Sequence, residues 1–217
     1  MPAGYNILSG QGTKSIKVQI DKYAKTNTVS VIPSNVCTEA KPISATILIR
    51  PLPFSEAGTD ILKNCSPEAQ LAASNGHNMV STQWKLLRGN AKFEDPTLKN
   101  TKVYELMYGE NLLSWNVNDG YCVGYDTVKV TNWNPGITEP EFSEITICED
   151  FMTLRAPKPE FGMVRWSLMG GDGEIANPNS NETLISGLSN KRPNVIRWEV
   201  YSIVDSKEEC NNTIDVK

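Results

Sequence analysis

Residues 111–122 read Asn-Leu-Leu-Ser-Trp-Asn-Val-Asn-Asp-Gly-Tyr-Cys, or NLLSWNVNDGYC. Leu113, Trp115 and Val117 alternate with Ser114, Asn116 and Asn118. A strand here sets three apolar side chains against a core and turns three polar ones toward water. Asp119-Gly120 supplies turn chemistry, since this dipeptide suits a hairpin that needs positive φ. A cysteine closes the stretch. The same arrangement returns as NVIRWEVYSIVDSKEEC at 194–210, and that recurrence decides the fold.

Working outward, the flanking chain repeats as well. Cys65 precedes Trp84 by 19 residues, and Cys148 precedes Trp166 by 18. Trp84 and Trp115 are 31 apart, Trp166 and Trp198 are 32 apart. Cys122 follows its tryptophan by 7 residues and Cys210 follows its own by 12. Between them, GNAKFEDPTLKNTKVYEL (89–106) overlays GDGEIANPNSNETLISGL (171–188) without a gap. The shared skeleton is G-x-x-x-[aromatic or aliphatic]-x-x-P-x-x-x-x-T. Self-similarity on a period of about 80 residues marks tandem modules.

The expected fold class is all-β: tandem Ig-like β-sandwich modules, the first of them truncated. No ten-residue apolar pattern at helical spacing occurs. The best helical candidate is 66–73 (SPEAQLAA), where Pro67 suits a first turn, and a short strand reads QLAA equally well. The complete modules are expected at 54–131 and 141–217. Arg50-Pro51-Leu52-Pro53 joins the first to what precedes it; NWNPGITEP (132–140), with Trp133 and Pro135, joins the two. Proline restricts its own φ and its neighbour, so both joints should be extended and semi-rigid.

Residues 1–50 read as strands: Ile16, Val18 and Ile20 alternate, then Val29 and Val31, then Ile43, Ala45, Ile47 and Ile49. Three strands are too few for a sandwich of about seven. The segment therefore reads as the C-terminal part of a module, with Met1 as a start codon of convenience. An upstream partner would then explain Cys37.

With 217 residues, 39% hydrophobic, 21% charged and net charge −4, the chain is an ordinary globular one. It has no basic stripe, which argues against nucleic acid, and no apolar run of about 18 residues, which argues against a membrane span. MPAGYNILSG lacks the pattern of a signal peptide, so if the protein is exported its targeting signal is expected outside this sequence. Five cysteines without a CxxC pair and a single histidine give no zinc spacing. Structural disulfides in an oxidising compartment fit better.

Nothing else assembles into an active site, and no cofactor or metal is expected. His77, in SNGHNM, has no recognisable Cys or Ser partner. GGDGE (170–174) offers two carboxylates where calcium wants about six to eight oxygens, so it reads as a turn. Trp84, Trp115, Trp166 and Trp198 recur at matched positions, the signature of core packing. Trp133 has no counterpart and is read as a wedge between modules. The three N-x-[ST] matches, at Asn64, Asn181 and Asn211, are read as accidental.

AGTDILKNC (57–65), QLAA (70–73), Trp84, GNAKFEDPTLKNTKV (89–103), GENLLSWNVNDGYC (109–122) and YDTVKV (125–130) together resemble a known family. They look like the PKD-like, Ig-fold repeats of very large Bacteroidetes gliding-motility adhesins of the SprB type. PAGYNILSGQGTKSIKVQI with the later NVC resembles the second half of a sister repeat. The resemblance implies a non-enzymatic, cell-surface protein exported by the type IX secretion system. Its implied role is stalk, spacer and adhesion module, with neighbouring repeats of the same chain as partners. The alternatives are a module whose loops at 74–79 and 156–162 hold a surface glycan or an outer-membrane protein, and accessory repeats of a secreted enzyme or of the secretion machinery. Asp126-Thr127-Val128 resembles the O-glycosylation motif of Bacteroidetes proteins.

The repeat also implies a cysteine pairing: Cys65 with Cys122, and Cys148 with Cys210. Each bond would stay inside one module and close a loop of about 60 residues, worth roughly 4 kcal/mol in the chain-entropy picture.

Overall fold

The computed structural model describes residues 2–21 and 23–217, and Met1, read above as a start codon of convenience, lies outside them. Among the described residues every regular element is a strand. The chain divides into two units, Met1–Leu52 and Pro53–Lys217.

In the first unit, β1 (Tyr5–Ser9) pairs antiparallel with β2 (Lys17–Ile20), and β3 (Asn27–Val31) with β4 (Ile43–Ile47). Alternation sorts the second hairpin into two faces. Val29 opposes Ala45 and Val31 opposes Ile43 on one of them. On the other, the hydroxyls of Thr28 and Thr46 lie 3.4 Å apart and those of Ser30 and Ser44 2.8 Å apart. The apolar face is open, with Val31 56% and Ile43 71% exposed. Tyr5 is buried and donates its hydroxyl to the carbonyl of Lys25 at 2.8 Å. Strand β1 is absent from the sequence reading because Leu8, following Ile7 directly, breaks the alternation.

The second unit holds two Ig-like sandwiches with separate cores. The first comprises β5 (Ser55–Glu56), β6 (Ile61–Asn64), β7 (Ala69–Gln70), β8 (Ser74–Asn75), β9 (Ser81–Arg88), β10 (Lys92–Phe93), β11 (Lys102–Tyr104), β12 (Gly109–Asn118) and β13 (Val123–Asn132). One sheet runs β6-β13-β12-β9 and its facing sheet β10-β11-β7, with β5-β8 as a small pair. The second sandwich comprises β14 (Phe151–Arg155), β15 (Met163–Gly170), β16 (Glu174–Ile175), β17 (Glu182–Ser186), β18 (Val195–Val204) and β19 (Lys207–Val216). Its sheets are β15-β18-β19 and β14-β17-β16.

The 66–73 stretch is therefore not helical. Its β7 lies on β11, and the amides of Leu71 and Ala73 continue the ladder to the carbonyls of Thr101 and Lys99. Leu71 and Ala73 alternate into the core, and that burial outweighs the weak helical propensity of so short a run.

Each position of the repeated skeleton has a physical task, performed twice. Trp84 opposes Trp115 directly across β9 and β12, with ring centroids 5.1 Å apart; Trp166 opposes Trp198 across β15 and β18 at 4.6 Å. All four rings are at most 2% exposed. The prolines put their carbonyls against these strands: Trp84 N–H donates to Pro96 O and Trp166 N–H to Pro178 O, both at 2.7 Å. The threonine hydroxyls accept the amides that precede those prolines, Asp95 to Thr101 at 3.0 Å and Asn177 to Thr183 at 2.9 Å. Phe93 and Ile175 pack on the two cores.

The skeleton glycines, Gly89 and Gly171, both sit at φ +95°. A Cβ on Gly89 would lie 2.5 Å from Asn111 Oδ1, and one on Gly171 2.1 Å from Asn194 Oδ1. Only glycine allows that approach. Those asparagine oxygens accept the next amides, from Asn90 at 3.0 Å and Asp172 at 2.9 Å. Asn111 is fully buried and also donates to Met107 O, Gly109 O and Val130 O.

The two hairpins that open the sequence argument close differently. In the first, 119–122 forms a four-residue loop in which Asp119 Oδ1 accepts the amides of Tyr121 and Cys122, and Gly120 takes φ +90°. In the second, Asp205 and Ser206 form a two-residue turn with φ of 51° and 63°, the primed geometry that matches strand twist. Strand β19 therefore starts sooner after its turn, and Cys210 lies within it.

Candidate functional site

The chemistry-bearing residues converge where the two sandwiches meet. Strand β6 runs parallel to β13, with Asn64 opposite Asn132, and Trp133 N–H extends that ladder to Asn64 O at 2.7 Å. The first sandwich thus ends at this point with Lys63, Cys65 and Trp133 side by side. The last sandwich meets them with the start of β19. Cys65 is disulfide-bonded to Cys210, with Cα atoms 5.4 Å apart. Next to the bond, Lys63 Nζ lies 3.2 Å from Glu209 Oε2. Two residues further on, Asn212 donates to Asn134 Oδ1 at 2.8 Å and to Gly136 O at 3.0 Å. Positions 209, 210 and 212 of one strand therefore hold both the first sandwich and the connecting chain.

An aromatic row spans the same joint. The Trp133 indole donates Nε1–H to Leu62 O at 3.0 Å and meets Tyr108 edge-on, centroids 5.7 Å apart. Tyr108 in turn stacks on Phe161 of the last sandwich at 4.6 Å. Pro135 is buried against Gly162, whose Cβ, if present, would lie 2.7 Å from Pro135 Cβ. Trp133 is half-buried at the base of this row. It acts on the last sandwich through Tyr108.

The expected cysteine pairing is corrected by this geometry. Cys122 sits at the opposite end of β13 from Cys65, ten residues or about 30 Å of strand away. A disulfide needs Cα atoms within about 7 Å. Ile145 donates to Lys217 O, which places the Cys148 region beside the far end of β19 from Cys210. Cys37, Cys122 and Cys148 are free. Their place after the second tryptophan of each module equated Cys122 with Cys210, although one follows by 7 residues and the other by 12; the tighter second hairpin puts Cys210 in a strand that faces the joint.

The prolines of the first joint separate. Pro51 is exposed at the end of the first unit, whereas Pro53 is buried in the second. A Cβ on Gly124 would lie 2.2 Å from Pro53 O, so this glycine makes room for it. His77 is exposed. Asp172 of the GGDGE turn faces Arg192 at 3.5 Å. Of the two candidate binding loops, 156–162 is engaged at the joint through Phe161 and Gly162. Beside its start lies an open depression of about 400 Å³ with Glu139, Glu141, Arg155 and Glu182 in its lining. Among the described residues no group of three or more His, Cys, Asp or Glu is placed to hold a metal.

Ion pairs tie the outer face of β15-β18-β19. Arg165 Nε donates to Glu199 Oε2 at 2.8 Å, reaches Glu208 at 3.2 Å and lies over the Tyr201 ring at 4.8 Å. The Glu199 hydrogen bond raises the guanidinium pKa further above its ordinary value. Arg197 grips Asp215 through two bonds of 2.7 and 2.9 Å and holds its carboxyl below the usual range.

Sequence reasoning missed Asn111 and Asn194, although a signal exists. Both precede a core tryptophan by four residues, as N-L-L-S-W and N-V-I-R-W. Tyr108, Phe161, Lys63, Glu209 and Asn212 carry no such signal, because their partners lie in the other module and no repeat can announce them.

Residues 1–47 match the model of a family described as PKD-like domain. No curated protein matches the chain. Among solved structures it is similar to the insect immune protein hemolin, at 12% identity and TM-score 0.44, over 91% of this chain and 57% of that one. It is similar to an I-band fragment from titin, at 11% identity and TM-score 0.39, over 100% of this chain and 82% of that one. It is also similar to an endo-fucoidan hydrolase of glycoside hydrolase family 107, at 13% identity and TM-score 0.30. That likeness spans 100% of this chain but only 37% of the hydrolase. Likeness at these scores says nothing of activity.

A PKD-like match at residues 1–47 beside Ig-like sandwiches fits an adhesion or spacer module in general terms. With a disulfide it fits an oxidising, extracellular setting. Among the described residues no helix is long and apolar enough to cross a membrane.

Proposed function

We propose that the chain is a non-enzymatic piece of a large repetitive cell-surface adhesin of gliding bacteria, exported by the type IX secretion system, whose modules serve as stalk and spacer. The observation that carries the spacer role is the joint. A disulfide, an aromatic row and a strand-to-linker clamp hold two sandwiches as one body, which suits holding a fixed distance. The matched skeleton in both modules supports a repetitive parent, and the PKD-like match over residues 1–47 supports the family resemblance. Neighbouring repeats of the same chain are then its first partners.

The test is a binding screen of the folded 217-residue chain against a glycan array and against intact cell surfaces. A spacer gives no saturable binding. A saturable ligand lost on mutating the 74–79 loop would favour the binding-module reading instead.

A further inference from the structure

A pull on the ends of a folded chain travels through covalent bonds first. The second unit begins at Pro53 and ends at Lys217. Within it Cys65 is bonded to Cys210 across 145 positions of sequence. One covalent path therefore runs from Pro53 to Cys65, crosses the sulfur bridge and continues from Cys210 to Lys217. Everything between the two cysteines lies in a closed loop beside that path, including all four core tryptophans.

We propose that Cys65–Cys210 is a tension bypass that makes the sandwich pair inextensible under load in an oxidising medium. Its use rests on the spacer reading, while its mechanism rests on the disulfide alone. With the bond intact, only two short arms can be drawn out, one up to Cys65 and one beyond Cys210. Both arms are fastened. In the first, the amide of Ala57 donates to Asp126 Oδ2 at 2.9 Å, Asp60 Oδ1 accepts the amide of Lys129 at 2.8 Å, and β6 lies on β13. In the second, β19 pairs with β18 as far as Val216, and Asp215 is gripped by Arg197.

The device differs from a disulfide inside one module. The Cys65–Cys122 and Cys148–Cys210 pairs would leave the joint between them on the load path. The bond that forms takes the joint, Trp133 and Pro135 included, off it. At about 3.5 Å per extended residue, the loop hides roughly 500 Å of chain.

The experiment is a single-molecule stretch of the full chain, tethered at both ends, first without and then with dithiothreitol. Reduction turns the S–S bond into two thiols, the two hydrogens coming from dithiothreitol, which leaves as its cyclic disulfide. The expected result is unfolding extension totalling about 500 Å more after reduction than before. A Cys65→Ser, Cys210→Ser chain should give the longer extension without reductant. Because the wild-type chain is reduced after folding, the comparison stands even where that variant folds poorly. Equal extension before and after reduction would overturn the bypass. A chain that fails this test yet binds nothing in the screen above keeps the spacer reading. One that passes it yet binds a ligand loses the pure spacer and keeps the bypass.

Discussion

The ring of Tyr108 lies flat on that of Phe161, centroids 4.6 Å apart and planes 9° from parallel. The two side chains belong to different sandwiches, so their stack reports on the joint and on nothing inside either core. An aromatic pair of this kind is worth about 0.5–1.5 kcal/mol beyond its area. In reduced protein, Tyr108→Ala should make the sandwiches tumble more independently by amide relaxation while each keeps its own spectrum. With the disulfide closed, the same substitution should change tumbling little.

Cysteine substitutions should be unequal. Cys210→Ser opens a loop of 145 residues, which costs up to about 5 kcal/mol in the chain-entropy picture. Thermal melting in oxidising buffer should fall accordingly, and adding reductant should not lower it further. Cys122→Ser, at a free thiol in a hairpin loop, should leave the melting curve where it was.

Asn111 and Asn194 anchor equivalent glycine turns, but Asn111 makes more bonds and is fully buried. Truncating it strands several buried backbone groups, and each costs about 1–3 kcal/mol. Asn111→Ala should destabilise the first sandwich by about 3 kcal/mol in denaturant melts. Gly89→Ala should be damaging as well, through the clash at 2.5 Å and the positive φ.

Acid should weaken the fold through carboxylates held low in the native state. Asp215 is lowered by its hydrogen bond from Arg197, and Asp95 by the Thr97 hydroxyl. A carboxylate with a depressed native pKa adds stability above its unfolded value of about 3.9, lost as pH falls through the native one. The loss should begin below about pH 4 and be small, since both groups are largely in water. Asp215→Asn should flatten the acid limb of a stability–pH curve slightly and leave the curve above pH 5 parallel to wild type.

The fold was legible in the sequence because each sandwich is written twice. Trp84, Trp115, Pro96 and Thr101 have counterparts at fixed spacing, and the bonds among them stay inside one module. The site was not legible for the opposite reason. Tyr108 meets Phe161, and Cys65 meets Cys210, only once the two modules are set against each other. Local alternation and repeat spacing describe a module and say nothing about its neighbour. The cysteine pairing failed at that boundary: the repeat argued for symmetry, while the two-residue turn at Asp205-Ser206 broke it.

The most direct measurement is a disulfide map of the folded protein, by proteolysis at low pH with free thiols blocked, read by mass spectrometry before and after reduction. A cross-linked peptide pair carrying Cys65 and Cys210, with Cys37, Cys122 and Cys148 all alkylated, is the predicted result. A pair carrying Cys65 and Cys122, or Cys148 and Cys210, would contradict the joint as described.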